Sequence, residues 1–587
     1  MSRLGDWLDE RTGHRAFLHR ALDVAVPGGA RFAYVWGSAL AFTLVLQAVT
    51  GILLSTAYAN SATTAWSSVA HITLSMRAGW LIRGLHHFGA QAMIVLLAVH
   101  LVQTAVYGAY RRPREVTWLL GLALAGLTLG FIFTGPVLAW DQRSYWASRV
   151  EANIIGTLPV VGPWMQGMLQ GGPSYGHLTL TRFYSLHVAV LPMLTGLVLA
   201  AHWAVFRRHG VTPAASADTR KVERYYPQQV VRALLVGLAV LVVVFALTAR
   251  EHGAPLDSPA DPTSDYPARP AWYFRALFQL RKYLPPSLEV VGVVGLPLLF
   301  GAYLVALPFL DRKPGRSLLA RLPVLVPLAL ALLGAAGMTV ASFSADARDA
   351  DYQRAEKLAA ERAARALVLF REGVPPEGPL AMLRNDPETR GADLFQAQCA
   401  SCHRLNDLGP PKEKMTGPDL TGFGTKAWAL AVLDNPDADH LFGKTPFKGQ
   451  MPSLTRPPSD PEAAKAFTPM STADQDAVAE FLVAQARGER AEGTVGEKLV
   501  RQRCTSCHRL DGKVDDEESA APELRGWASL PWIEAQIANP GSGKAYPPAA
   551  MAKELEGHMP RFEDKISEKD RKILAAWMQR RGLSQKP

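Results

Sequence analysis

Two short strings, Cys399-Ala-Ser-Cys402-His403 and Cys504-Thr-Ser-Cys507-His508, use all four cysteines of the 587-residue chain. A CxxCH string suits covalent haem: the thiols add to vinyl groups as thioethers and the adjacent histidine becomes an axial iron ligand. Zinc or a dithiol redox pair is the competing reading, but two copies 105 residues apart in one tail favour two c-type haems. The surroundings repeat as well. "RGADLFQAQCASCH" and "VGEKLVRQRCTSCH" read as short helices entering the site, and Pro418 and Pro522 in "GPDLTG" and "APELRG" stand where a carbonyl can fix the histidine's second nitrogen. Farther on, "GQMPSL" and "GHMPRF" each put a methionine before a proline, so Met451 and Met559 are assigned as sixth ligands, against the reading of gap-filling core methionines. Met470 competes for the first site, but lining up "PMSTADQ" with "DKISEKD" makes it the counterpart of Ile566.

A second set of candidate ligands lies in apolar sequence. His86 and His100 are fourteen residues apart and His187 and His202 fifteen, intervals of about 21 and 22 Å along a helix. Each helix thus presents two imidazoles at two depths, and pairing His86 with His187 and His100 with His202 makes two bis-histidine b-haem sites stacked across a membrane. A single intramembrane histidine can equally be a satisfied helix–helix hydrogen bond; matched pairs argue against that. His87, about 100° round the helix from His86, reads as packing. Gly37 and Gly51, and Gly121 and Gly135, repeat the fourteen-residue interval and leave room for porphyrin edges, although glycine is common wherever membrane helices pack. Arg83, Arg182 and Arg207, with Arg208, flank the histidines and are candidate partners for haem propionates; snorkelling is the alternative.

The elements that position these residues follow from hydropathy. About half the chain is apolar and 19% charged. Seven windows, 33–57, 88–110, 116–140, 183–206, 228–249, 290–310 and 322–343, are long and apolar enough to span a bilayer, and Arg232 is the one formal charge in them. The connections "YRRPREV", "FRRHG" with "TRKVERYY", and "DRKPGRSLLAR" are basic, which places them and the amphipathic N-terminal segment on the cytoplasmic side and the C-terminal tail in the periplasm. The net charge of +10 reflects this bias and not a nucleic-acid surface. The expected architecture is mostly α: a seven-helix transmembrane bundle holding two b haems, followed by two small all-α cytochrome c domains. Its parts are a surface segment 1–30, a four-helix haem bundle 31–210, a three-helix quinone-site domain 211–345, a helical then Pro/Gly-rich spacer 346–388, and haem c domains 389–488 and 489–587.

"GWLIRGLHHFGA", "RRPREVTW", "WDQRSYWA" and "LTRFYSLH" closely resemble cytochrome b of the Rieske/cytochrome b quinol-oxidising complexes, above all the chloroplast-type branch, over residues 30 to 210. Spans five to seven resemble that branch's smaller subunit, here fused, and the tail resembles dihaem cytochrome c. Val35 stands where the branch has a cysteine for an extra haem, so that haem is not expected. The resemblance implies a multi-pass protein of the bacterial inner membrane that oxidises quinol at the periplasmic side. It further implies bifurcation of the electrons between a Rieske protein with the c haems and the two b haems, proton translocation, and a homodimeric complex. No cysteine remains for an iron–sulphur cluster, so the Rieske protein is a separate subunit, and a soluble cytochrome c or an oxidase is the expected periplasmic acceptor.

One departure matters. The family has Pro-Glu-Trp-Tyr at its outer quinol site; this chain has Pro270-Ala271-Trp272-Tyr273, and alanine is no base. Trp272 and Tyr273 still frame the site, and Asp265 is the nearest acid in sequence, with His252 a looser candidate; both also read as ordinary loop residues. The missing glutamate keeps open a second reading, a transmembrane haem conduit that exchanges electrons with quinone without bifurcation.

Overall fold

The computed structural model describes residues 3–16, 22–158, 160–214, 217–312, 317–445, 447–512, 521–546 and 559–583; parts of the N-terminal segment and of the connection between spans six and seven lie outside these. The chain divides into two compact units, Met1–Met382 and Leu383–Pro587.

The first unit begins with an exposed helix, α1 (Arg3–Thr12), and a short strand, β1 (Ala25–Pro27). Among the described residues seven helices are long and apolar enough to cross a membrane, and they coincide with the seven apolar windows. These include α2 (Trp36–Ser55), α4 (Gly79–Tyr107), α5 (Glu115–Thr134), α7 (His177–His209) and α8 (Val230–Arg250). Between α2 and α4 lies α3 (Ala65–Leu74), and between α5 and α7 lies α6 (Gln142–Gly156). Between α7 and α8 a second strand, β2 (Val222–Arg224), pairs antiparallel with β1, so the N-terminal segment and this connection share one face. After α8 come α9 (Arg275–Tyr283) and the last two spans, which contain α10 (Leu296–Leu310) and α11 (Leu322–Arg348).

Small residues set the helix spacing. A Cβ on Gly84 would stand 2.2 Å from Thr248 Cγ2, so α4 and α8 touch where glycine allows it. A buried polar knot ties the far end of α4 to the connection between α10 and α11. Arg321, 1% exposed, donates to the carbonyls of Ala105 and Val106 and to the Asp311 carboxylate, which also accepts from the Tyr110 hydroxyl. A buried guanidinium is tolerable only with such complete pairing.

The spacer expectation is corrected. Asp349 caps α12 (Ala350–Glu372), whose Ala366 and Leu369 are buried. Phe370 meets Trp66 of α3 edge-on at 6.2 Å, and Gly378 comes within contact of the Thr63 backbone. Residues 350–382 are therefore part of the membrane unit, because the helix has an apolar face that α3 covers.

The second unit holds α13 (Pro387–Gln398), α14 (Lys426–Asp434), α15 (Thr472–Arg487), α16 (Val495–Arg503), α17 (Leu530–Ala538) and α18 (Glu568–Leu583). Its cores join unlike halves of the two repeats. One buries Leu394 and Phe395 with Ile533, Ile537 and Trp577; the other buries Leu433, Phe481 and Leu482 with Val500, Leu510 and Trp527. Helix α13 of the first repeat lies against α18 of the second, and α16 of the second against α15 of the first. The expected boundary at 488/489 therefore divides sequence repeats and not packing units. The seven-residue link 488–494 folds α15 back onto α16 as a hairpin, which leaves α13 and α18 to cover each other.

Candidate haem and quinone sites

The histidines on α4 and α7 meet at two levels. His86 and His187 face each other with ring centroids 6.4 Å apart at 69°. An iron between two imidazoles needs about 2 Å of bond and about 1 Å of ring radius on each side, so this gap fits one metal. The two ring tautomers are fixed alike. Thr50 spends its hydroxyl hydrogen on the Leu46 carbonyl at 2.6 Å and Thr134 on that of Gly130 at 2.8 Å. Each hydroxyl oxygen can then only accept from the histidine, at 2.9 Å from Nδ1 of His86 or His187. That leaves Nε2 of both rings with a free lone pair, the state a metal ligand needs. At the second level His100 and His202 have buried Nδ1 atoms, with the Thr117 backbone approaching His202.

The intervals of fourteen and fifteen residues reach the same two levels because α7 contains a π turn over Leu186–Val190, at His187 itself. An i→i+5 turn takes up one extra residue, so fifteen residues of α7 match fourteen of α4. The glycines stand opposite the imidazoles. A Cβ would lie 2.7 Å from His187 Cε1 at Gly135, 3.1 Å from His86 Cε1 at Gly51, 3.4 Å from His202 Cε1 at Gly121 and 3.6 Å from His100 Cε1 at Gly37. Each glycine thus gives room to one imidazole ring.

The flanking arginines divide. Arg83 donates to Thr73 Oγ1 and to the carbonyls of Ala254 and Pro255, so it is occupied as a latch on the loop after α8. Arg182 donates to the Met168 carbonyl, and Arg207 lies 5.7 Å from the ring centre of Trp203. Val35 is fully buried, and His87 packs edge-on against Phe88 at 4.9 Å.

The Trp272-Tyr273 turn reaches the His86 level. Trp272 Nε1 donates to Gln91 Oε1 at 2.5 Å, and Gln91 is five residues from His86 on α4. Helix α6 and the loop ahead of this turn are bound together. Asp141 caps α6 by accepting from the Ser144 N–H and also accepts from the Asp257 N–H, while Gln142 N–H donates to the Ser258 carbonyl. Arg269 and Arg275 both pair with the Asp346 carboxylate. Of the two expected acids and bases, Asp265 is exposed on the loop and His252 stacks on Trp80 at 5.0 Å, outside the turn.

In the second unit each proximal histidine is held as its sequence implies. His403 Nδ1 lies 3.0 Å from the Pro418 carbonyl and His508 Nδ1 3.0 Å from that of Pro522. A carbonyl can only accept, so Nε2 is again the free nitrogen. Burial pushes both histidines below their ordinary range, into the neutral ligating form. None of the four cysteines forms a disulphide. The methionines differ from expectation. Met559 lines the cavity of Cys399, Cys402 and His403, together with Trp532 and Phe562 of the second repeat. Met451 packs instead, as Cys504 does, against the core that joins Leu433 and Phe481 to Val500 and Leu510, and Met470 is buried in that core as Ile566 is in the other. The sequence carried one sign of this. Gly391 and Gly496 each precede the first cysteine by eight residues, and a Cβ would lie 2.3 Å from Trp577 at the one and 2.1 Å from the Ala477 carbonyl at the other. They mark a helix crossing without saying which helix crosses.

Comparison with known proteins supplies the family. The family model for cytochrome b/b6/petB matches residues 21–210. Cytochrome b of Rhodobacter capsulatus is 30% identical over 346 residues, which cover 53% of this chain and 78% of that protein. The chain belongs to the cytochrome b family. Cytochrome b6 of Synechococcus sp. is 35% identical over 212 residues, 36% of this chain and 99% of its own length. Behind the cytochrome b portion, residues 388–486 match the cytochrome c model and 491–578 the model for cytochrome C oxidase, cbb3-type, subunit III. A solved structure described as a hyperthermophilic respiratory Complex III is similar at 25% identity and a TM-score of 0.51, over 62% of this chain and 96% of that chain. This cytochrome b is therefore a haem-binding membrane protein of electron transport that carries its own cytochrome c sequence.

Proposed function

We propose that the chain is the haem b and haem c subunit of a quinol:cytochrome c-type oxidoreductase in the bacterial inner membrane, with its N-terminus cytoplasmic and its c-type unit periplasmic. Four haems fit the residues present: two non-covalent, between His86 and His187 and between His100 and His202, and two covalent, on Cys399/Cys402 and Cys504/Cys507. Met559 would join His403 in holding the first of these covalent haems and Met451 would join His508 in holding the second, each from the other repeat. Bound haem supplies one-electron redox chemistry at each of these positions.

Quinol binds at the Trp272-Tyr273 turn. One of its electrons leaves through a separate Rieske iron–sulphur protein toward the c-type unit and a periplasmic acceptor, and the other crosses the membrane between the two histidine levels. The chain's own part is to hold the ligand rings in one tautomer with Thr50 and Thr134, to keep Cβ atoms away from them, and to anchor the quinol turn to α4 through Gln91. The complex is expected as a homodimer. The observation that carries this reading is the facing pair of imidazoles of His86 and His187, with the Trp272 turn tied five residues from His86.

The test supplies quinol to membranes holding the assembled complex while the inner quinone site is inhibited, then adds a pulse of oxidant. Reduction of b haem during oxidation of c haem is expected. Oxidation of b and c together would replace bifurcation by a simple conduit.

A further inference from the structure

Removing two electrons from quinol also releases two protons, and Ala271 cannot take either. The acidic side chain that the fold brings to the turn is on another element. Glu151 lies on α6, three residues after Ser148, whose carbonyl accepts from the Tyr175 hydroxyl at 2.8 Å. The Glu151 carboxylate is close enough to the hydroxyls of Tyr175 and Tyr273 that its charge, added to burial, raises both phenols. It makes no hydrogen bond or ion pair among the described residues. The neighbouring cations are turned elsewhere: Arg149 lies over Trp146 at 4.9 Å, and Arg269 and Arg275 are paired with Asp346. A part-buried carboxyl with no hydrogen-bond partner among the described residues, near phenols of two different elements, is costly to keep unless something polar is to dock there.

We propose that Glu151 is the proton acceptor for quinol at the Trp272-Tyr273 site, a role that rests on the quinol-oxidising reading above. In the step, a quinol O–H bond breaks and its proton forms the O–H of the Glu151 carboxylic acid. One electron leaves to the one-electron oxidant of the iron–sulphur class and the other to the His86 level; the second hydroxyl gives its proton to solvent water as quinone forms. Tyr273 lies near the same carboxylate as a neutral donor that can steady its charged form, whereas the Tyr175 hydroxyl is spent on the Ser148 carbonyl; Tyr145 is the further phenol on α6. Burial holds the Glu151 carboxyl up at about 7, where a group can both accept and release a proton near neutrality.

The experiment compares Glu151→Gln, Glu151→Asp and Asp265→Asn in the assembled complex, with haem absorbance as the check on folding. Quinol turnover is measured across pH, beside the oxidant pulse. Glu151→Gln is expected to keep all haem bands and lose about 10²-fold or more in turnover, together with the acid limb of the pH profile. Glu151→Asp restores part of both, and Asp265→Asn changes neither. A Glu151→Gln protein with intact haems, unchanged turnover and unchanged pH profile would overturn the proposal. So would a wild-type complex that does not oxidise quinol at all. If wild-type b and c haems are oxidised together, bifurcation falls, while a turnover loss in Glu151→Gln still supports Glu151.

Discussion

The membrane unit and the c-type unit each hold paired sites with internal symmetry, and each completes a site with residues from two distant stretches of chain. They differ in how the pairing is encoded. In the membrane unit the ligands ride on two rods. Once α4 and α7 run side by side, the intervals of fourteen and fifteen residues decide which histidine meets which. In the c-type unit Met559 sits outside the helices, and the short link between α15 and α16 brings it to the cavity of the other repeat. Periodic elements carry partner information in their spacing, and loops do not.

The largest test of the rod side is removal of a ligand. His187→Ala is expected to halve the non-covalent haem measured by reduced-minus-oxidised spectra, leave the His100/His202 site filled, and bring quinol turnover to background. Loss of both b haems would show that the two levels do not form independently.

On the loop side the exchanged pairing makes a crossed prediction. In a chain whose first haem is removed by Cys399→Ala with Cys402→Ala, Met451→Ala should abolish the remaining methionine-to-iron absorption and Met559→Ala should leave it. The opposite result would return each methionine to its own repeat.

A graded effect follows from the glycines. Alanine at Gly135 puts a Cβ 2.7 Å from His187, whereas at Gly51, Gly121 and Gly37 the nearest ring atoms are 3.1, 3.4 and 3.6 Å away. Overpacking of this kind costs about 1–3 kcal/mol. Haem retention on heating should fall most for Gly135→Ala, less for Gly51→Ala, and hardly for Gly121→Ala or Gly37→Ala. An order unrelated to these distances would mean that the glycines serve helix packing alone.

The smallest effect concerns the hairpin that enforces the exchange. Glu497 accepts from the Gly493 N–H at 2.6 Å and pairs with Arg525 and Arg501, each at 2.9 Å. The Arg525 hydrogen bond, with that of Gly493, holds its carboxyl down at about 2, below the ordinary 4.5. A carboxyl lowered on folding stabilises the fold above its unfolded value, and that contribution is lost as pH falls from about 4.5 to about 2. Glu497→Gln should lower the stability of the c-type unit near neutrality by about 1 kcal/mol. It should also flatten the loss between those pH values, followed by thermal melting of the c-haem signal.

What was legible beforehand tracks the same difference. The seven spans, the two levels of paired histidines, both CxxCH strings and the Pro418 and Pro522 carbonyls could be read because each depends on local spacing or on hydropathy summed over a segment. The packed state of residues 350–382 could not, since an Ala/Arg/Glu-rich helix reads as solvated until α3 is known to cover its apolar face. Asp265 was singled out because it is near Tyr273 in sequence, whereas Glu151 is more than a hundred residues away and is brought to the same turn by α6.

Residue types and intervals by themselves determined a haem-binding membrane helix bundle with a cytochrome c tail, because bilayer thickness, helix pitch and the CxxCH pattern act over short stretches of chain. The tertiary structure alone decided which repeat Met559 packs against, which ring each glycine makes room for, and which acidic side chain lies near Tyr273. Those contacts join segments far apart in sequence, and their pairing is fixed by link lengths and by the burial of shared faces.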